Sequence, residues 1–395
     1  MEIIMFANKK ILLVSHDLSR TGAPMVLLEL AKYLISKHYA VDVWGLKSGD
    51  LYADFVNIGI TPCITRGSRR AVRNLFIKTG KKYDYIICNT IETFKAVDVL
   101  QRFNIPTIWY IHESGYLEEM VQKNKDFKNV FEHFYNIYAC SKYSAEICMR
   151  YNKVSDVHII PNCTQDVFKS YRHHQEIRFG AIGAISELKG IDTLVDAFTA
   201  LVSQEKNIKL YLAGDTNSDF AKMLMQKTKD VKQILWLGTV KDAAKRKFFD
   251  SVDVLCVPSV YDSAPISLLE GLMYGKPIIT TVNVGNNNLV SKQTGFIIPI
   301  QDKARLYDAM DWFCKHKSRI PQMMKNARSQ YLSGASCKNQ EVAIDKMLKD
   351  NINKKPIVTT NIKYEVLEKN APKHNVREIF LFGHKIFEYR KKKKH

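Results

Sequence analysis

Long apolar runs are missing from this chain. Nowhere in its 395 residues do eighteen apolar residues follow one another, so no segment reads as a membrane-crossing helix. No basic region precedes the short apolar stretch within Met1 to Lys10, so the N-terminus does not read as a secretory leader. There is no Cys-x-x-Cys pair. The eight cysteines (Cys63, Cys88, Cys140, Cys148, Cys163, Cys256, Cys314 and Cys337) are scattered, without the clustered spacing that metal ligation needs. They read as reduced structural thiols, with Cys88 and Cys256 acting as small hydrophobes in strands, and therefore as those of a cytoplasmic protein. No Asp-x-Asp pair occurs, no repeat appears at solenoid periods, and no basic motif interleaved with aromatics marks an RNA-binding module.

What is present describes an ordinary two-domain protein. Hydrophobic residues make up 46% and charged residues 25%, enough to bury two cores. The net charge of +19 is concentrated. Arg66, Arg69, Arg70, Arg73, Lys78, Lys81 and Lys82 follow one another with no acid between them. The tail from Lys385 to His395 has six bases against Glu388 alone, and together the two segments hold 12 of the 19 excess charges. Charge gathered this way points to an anionic surface, lipid or nucleic acid, or else to a solvated face with a disordered tail. Before that tail, Ile379 to Phe387 sets bulky apolar residues beside lysines. This suits a bilayer interface or a last element packed on the body.

Short apolar runs alternate with helical patterns along most of the chain. Strands are predicted at Ile11–Ser15, Val41–Gly45, Tyr85–Cys88, Thr107–Ile111 and Ile137–Cys140, with a helix over Met25 to Lys37. A second series reads Ile177–Ile182, Lys209–Ala213, Ile234–Leu237, Val254–Val257, Pro277–Thr280 and Phe296–Ile298. Helices over Asp192–Val202, Pro265–Tyr274 and Ala304–Lys315 interleave with it. Such alternation gives parallel sheets with helices on both faces. The polar stretch Thr164 to Glu176 separates the series. The expected architecture is α/β, two Rossmann-like doubly wound domains facing across a cleft, with ligands beyond the carboxyl ends of the strands. The expected division is residues 1–165, 166–345 and a basic extension 346–395, with the last helices free to cross back to the first domain.

The strongest local pattern is Pro258-Ser259-Val260-Tyr261-Asp262-Ser263-Ala264-Pro265-Ile266-Ser267-Leu268-Leu269-Glu270. A buried strand ends in a Pro-Ser turn and a helix begins near Ala264. The unpaired N–H groups of Ile266 and Ser267 then face the strand-end cleft, where a phosphate is favoured. Asp262 before the helix and Glu270 inside it can bracket one ligand. The bland alternative is a capping aspartate and a surface glutamate.

This segment resembles the Glu-x7-Glu region of glycosyltransferase family 4 (group 1, GT-B fold), with Asp262 at the first glutamate and Glu270 at the second. The resemblance runs to about residue 345. Ser19 to Pro24 resembles the first glycine-bearing loop, placing Gly22 against donor phosphate. Tyr110-Ile111-His112-Glu113 carries the cleft histidine, His112. Gly183 to Asp192 resembles the phosphate-neutralising loop, with Lys189 at the lysine that meets the diphosphate. Ala184 stands where an arginine is usual, so the diphosphate is short of one cation unless another base substitutes. Leu212-Ala213-Gly214-Asp215 and Trp236-Leu237-Gly238-Thr239-Val240 fit strand ends near the nucleotide. Cys140-Ser141-Lys142 and Ile160-Pro161-Asn162 fit architectural segments, and Gly285 to Val290 with Thr294-Gly295-Phe296 complete the match.

The resemblance implies a retaining, metal-independent hexosyltransferase. Sugar would move from a nucleotide-sugar donor to a hydroxyl of a glycan or lipid-linked glycan, in cell-surface polysaccharide synthesis. Asp262, His112 and Lys189 would be the catalytic set. Gly22, Gly214, Gly238, Val240, Ala264, Ile266, Ser267 and Glu270 would bind donor. No metal or cofactor is expected, and the expected location is cytoplasmic, peripheral on the inner face of the membrane. The alternatives are a sugar-nucleotide epimerase or hydrolase on the same fold, and a non-catalytic nucleic-acid-binding protein.

Overall fold

Successive side chains on a strand point to opposite faces, and the first strand shows which layers they enter. In a computed structural model describing residues 9–79, 82–172, 174–205, 207–351, 376–381 and 384–390, β1 (Lys10–Ser15) sends Ile11 and Leu13 one way and Leu12 and Val14 the other. The first pair packs with Leu27, Leu30 and Leu34 of the Gly22–Ser36 helix. The second packs with Trp109, Phe127 and Phe131 on the opposite layer.

The first sheet continues through β2 (Ala40–Gly45), β3 (Cys63–Ile64), β4 (Tyr85–Asn89), β5 (Thr107–Ile111), β6 (Ile137–Ala139) and β7 (His158–Ile159). All pairings are parallel, in the order β3-β2-β1-β4-β5-β6-β7. The second sheet holds β8 (Ile177–Ile182), β9 (Ile208–Ala213), β10 (Ile234–Gly238), β11 (Val254–Val257), β12 (Ile278–Thr281) and β13 (Gly295–Ile298), again parallel, in the order β10-β9-β8-β11-β12-β13. Both sheets reverse their winding once, between β1 and β4 and between β8 and β11. Crevices open at such reversals beyond the strand ends. The expected α/β doubly wound architecture is what the chain adopts. Two edge strands of two residues each, β3 and β7, gave no readable pattern because so short a run shows no alternation.

The helix Cys337–Asn351 returns to the first sheet. Its Ile344, Met347 and Leu348 lie in the same core as Ile11 and Leu13, and Tyr33 Oη donates to Asp345 at 2.7 Å. That return overturns part of the cysteine reading. Thr164 bridges to Ser336, which sets Cys163 beside Cys337 with Cα atoms 4.9 Å apart, and the two form a disulfide. At a sequence separation of 174, no spacing rule pairs them. The other six are unpaired thiols, and burial pushes those of Cys88 and Cys256 upward, as expected of strand hydrophobes. The helix after β11 begins at Ile266 rather than near Ala264, because Pro265 holds an extended backbone as its N-cap.

Among the described residues no helix is long and apolar enough to cross a membrane. Near the C-terminus β14 (Val376–Leu381) and β15 (His384–Arg390) form a separate antiparallel pair. The basic run at residues 391–395, and the side chains of Lys385 to Arg390, lie outside the described residues, as does Lys81.

Candidate active site

A cleft of 520 Å3 opens between the sheets, within the usual range of small-molecule sites, roughly 300–1,000 Å3. The first sheet contributes Gly22 and His112, from beyond β1 and β5, and the second contributes the loops after β8 and β11. Nine of the eleven residues singled out from the sequence line it: Gly22, His112, Lys189, Val240, Asp262, Ala264, Ile266, Ser267 and Glu270. Gly214 and Gly238 stand outside the lining. A Cβ on Gly214 would meet the Gly183 carbonyl oxygen at 2.1 Å, so that glycine serves packing between strand ends. Gly22 is different: nothing lies within 4 Å of where its Cβ would be, which leaves that space to a ligand.

The loop carrying Lys189 is fixed from below. Gly190 has φ +63°, and a Cβ there would come within 2.1 Å of the Pro258 carbonyl oxygen. Val260 N–H donates to the Leu188 carbonyl at 2.9 Å, joining this loop to the Pro258–Ser263 segment. The result is a short ion pair between Lys189 Nζ and Asp262 Oδ2, largely shielded on the acid's side. Asp262 is also held by its backbone. Its N–H donates to Asn283 O at 3.3 Å, and its carbonyl accepts from Gly285 N–H at 2.8 Å.

Four residues beyond Asp262 the Ile266–Met273 helix begins. Its N-cap, Pro265, offers no side-chain acceptor, and although Leu268 N–H donates to the Pro265 carbonyl at 3.2 Å, the Ile266 and Ser267 N–H groups are left for the cleft. Glu270 lies one turn further and pairs with Lys245 Nζ at 2.5 Å. Lys245, on the Asp242–Ser251 helix, also lines the cleft and was not picked out from the sequence, where it stands in the mixed-charge run Lys241 to Lys247 with no motif around it. Asn162 was read as architectural, and it does line the cleft, donating from Nδ2 to the Ala264 carbonyl at 3.3 Å.

From the first sheet, His112 Nε2 meets Asn89 Oδ1 at 2.8 Å while Asn89 Nδ2 donates to the Ala23 carbonyl at 3.0 Å. That second bond fixes which end of the amide is oxygen, so His112 donates from Nε2 and keeps Nδ1 as an acceptor. Burial, with a smaller contribution from His16, pulls its pKa down to about 3, and the imidazole is neutral at physiological pH. Next to it, burial pushes the Glu113 carboxyl up to about 7, while donation from the Ile91 and His112 N–H groups pulls the other way. The two halves touch across the cleft: Ser263 Oγ donates to Ser114 Oγ at 2.9 Å.

The arrangement offers an anion two lysines and a helix N-terminus, and a polyol two carboxylates and a neutral histidine. Among the described residues no group of three or more His, Cys, Asp or Glu is placed to hold a metal ion.

Sequence and structure comparisons give the family. Residues 164–330 match the family model of group 1 glycosyl transferases, and residues 7–167 match that of glycosyl-transferase family 4. The D-rhamnosyltransferase WbpZ of Pseudomonas aeruginosa is 27% identical over 154 residues, 38% of this chain and 39% of that protein. CapJ of Staphylococcus aureus is 23% identical over 199 residues, 50% of this chain and 49% of its own. The matches thus span between about two fifths and one half of these relatives. Among solved structures, Anabaena HepE in complex with UDP superposes with a TM-score of 0.75 at 18% identity, covering 86% of this chain and 100% of its own. The outer core galactosyltransferase WaaB superposes with a TM-score of 0.70 at 14% identity, covering 86% and 99%. With a family model on each half of a two-sheet GT-B fold, the chain belongs to the group 1, family 4 glycosyltransferases.

Proposed function

We propose that the chain is a retaining hexosyltransferase that takes a nucleoside-diphosphate sugar and needs no metal ion. The observation that carries the reading is the open N-terminus of the Ile266–Met273 helix with Lys189 and Asp262 beside it in one cleft. In the step proposed, the anomeric C–O bond to the diphosphate breaks as an acceptor hydroxyl attacks from the same face. The hydroxyl proton passes to the departing phosphate oxygen. Charge growing on that oxygen is met by the Ile266 and Ser267 N–H groups and by Lys189, all in place beforehand. Asp262 faces the sugar, Glu270 the ribose hydroxyls, and His112 presents an acceptor nitrogen. No carboxylate acts as a glycosidase-like nucleophile here. UDP in the HepE complex supports a diphosphate in a cleft of this fold.

The acceptor proposed is a glycan or lipid-linked glycan in cell-surface polysaccharide synthesis, reached at the cytoplasmic face of an anionic membrane. The sugar-transferring relatives support the first part. The Arg69–Thr79 helix supports the second: it exposes Arg70, Arg73 and Lys78 beside Ile77, which is 55% exposed. Arg69 is taken up by Asp98 and Asp126. Six unpaired thiols fit a reducing compartment, and the Cys163–Cys337 pair counts the other way.

The test is thermal denaturation with UDP, GDP, CMP, ADP and dTDP, each in EDTA and in magnesium. A ligand at 100 times its Kd adds about 2.7 kcal/mol of stability. Stabilisation by one diphosphate in EDTA supports metal-independent donor binding, and a shift only with magnesium overturns that part. NMR of the product's anomeric configuration checks retention. Turnover of donor without any acceptor would favour the hydrolase or epimerase alternative. Flotation with phosphatidylglycerol vesicles, lost in R70E/R73E, checks the membrane surface.

A further inference from the structure

Two basic and two acidic residues line the cleft: Lys189, Lys245, Asp262 and Glu270. They form two ion pairs and so sum to zero, whereas a nucleoside-diphosphate sugar brings two negative charges. The family resemblance implies an arginine in the loop after β8, at the position Ala184 holds. Here Ala184 is exposed in the cleft and offers only a methyl group. The missing cation must come from elsewhere in the fold.

We infer that Lys245 supplies it. Asp262 lies four residues before Ile266 and Glu270 four residues after, so one lysine is bound to an acid just ahead of the open helix end and the other to an acid one turn inside it. Along the helix, four residues rise about 6 Å, and that is within the length of a lysine side chain. The Lys245 ammonium, anchored on Glu270, is therefore within reach of a phosphate received by those N–H groups. Its side chain is 40% exposed while Glu270 is 12% exposed, so the cation retains a free side toward the cleft when its carboxylate partner is covered. Glu270 orients Lys245, and Lys245 bridges from Glu270 to the diphosphate. The second cation thus comes from the Asp242–Ser251 helix rather than from the loop after β8. This rests on the reading of the cleft as a donor site.

The experiment measures binding of the full chain, in EDTA, to whichever diphosphate among UDP, GDP, ADP, CDP and dTDP the wild type binds, and to the matching nucleoside. K245M is expected to weaken the diphosphate about 10- to 100-fold, the loss of one charged hydrogen bond, and the nucleoside less than twofold. K245R should bind as wild type, and A184R added to K245M should restore affinity by returning a cation to the loop. Equal loss of nucleoside and diphosphate in K245M would overturn the inference, leaving Lys245 only to hold Glu270 for the ribose. So would unchanged diphosphate affinity in K245M. Failure of the wild type to bind any diphosphate would instead overturn the donor-site reading, a separate result. If K245M does not fold, K245Q takes its place: diphosphate affinity weakened with nucleoside affinity kept is expected, and unchanged diphosphate affinity would overturn the inference.

Discussion

Replacing Asp262 with asparagine removes a charge while keeping nearly the same shape. The backbone of residue 262 stays tied to Asn283 and Gly285, so the loop has no reason to move. What is lost is the charged contact with Lys189 and, on the proposed mechanism, that with the donor sugar. A hydrogen bond to a charged group contributes about 1.5–3 kcal/mol, which at 1.36 kcal/mol per decade is about 10- to 150-fold in kcat/KM. Part of this belongs to Lys189, which after the substitution no longer has a carboxylate partner. A cycle of D262N, K189M and the double variant separates the pair from the individual contacts. Activity is followed as nucleotide release with the donor identified by thermal shift, alongside the melting temperature. D262N within twofold of wild type, with its melting temperature unchanged, would remove Asp262 from the chemistry. D262E, one methylene longer, tests reach, and is expected to alter KM for the sugar more than stability.

Other expectations follow from particular contacts. G190A forces a left-handed backbone on a residue with a Cβ and drives that atom against the Pro258 carbonyl, at a cost of about 2–4 kcal/mol; thermal melting should show a clear loss, together with weaker diphosphate binding as Lys189 shifts. Glu113 has its native pKa near 7, above the ordinary 4.5, so the native state binds the extra proton and this group's contribution to stability falls as pH rises through about 4.5 to 7. E113Q should flatten that slope and melt higher than wild type at pH 8, and a lower melt there would refute the buried carboxyl. Reducing the Cys163–Cys337 bridge, or C163S, should lower the melting temperature, since closing a loop of 174 residues restricts the unfolded chain by about 5 kcal/mol in the entropic account. Insensitivity to dithiothreitol, with eight titratable thiols in the native protein, would show the pair reduced.

Most of the layout was legible from the residues because each half repeats one local rule, an apolar run followed by a helical period. Thr107–Ile111, Ile177–Ile182 and Val254–Val257 fall where the pattern puts them, since a buried parallel strand must be apolar on both faces. The segment from Pro258 to Glu270 was legible for a related reason: a strand end, a proline turn and a helix start are adjacent in the chain, so the open N–H groups and both acids are local features. Lys245 was not legible. Its pairing with Glu270 joins the Asp242–Ser251 helix to the Ile266–Met273 helix, a contact across 25 residues that no spacing encodes. The cysteine pair and the return of the Cys337–Asn351 helix to the first sheet are of the same kind. Side-chain patterning along the chain determined the two sheets and which loops face the cleft. Which charges meet there, and how the two halves are joined, was decided only when distant segments packed together.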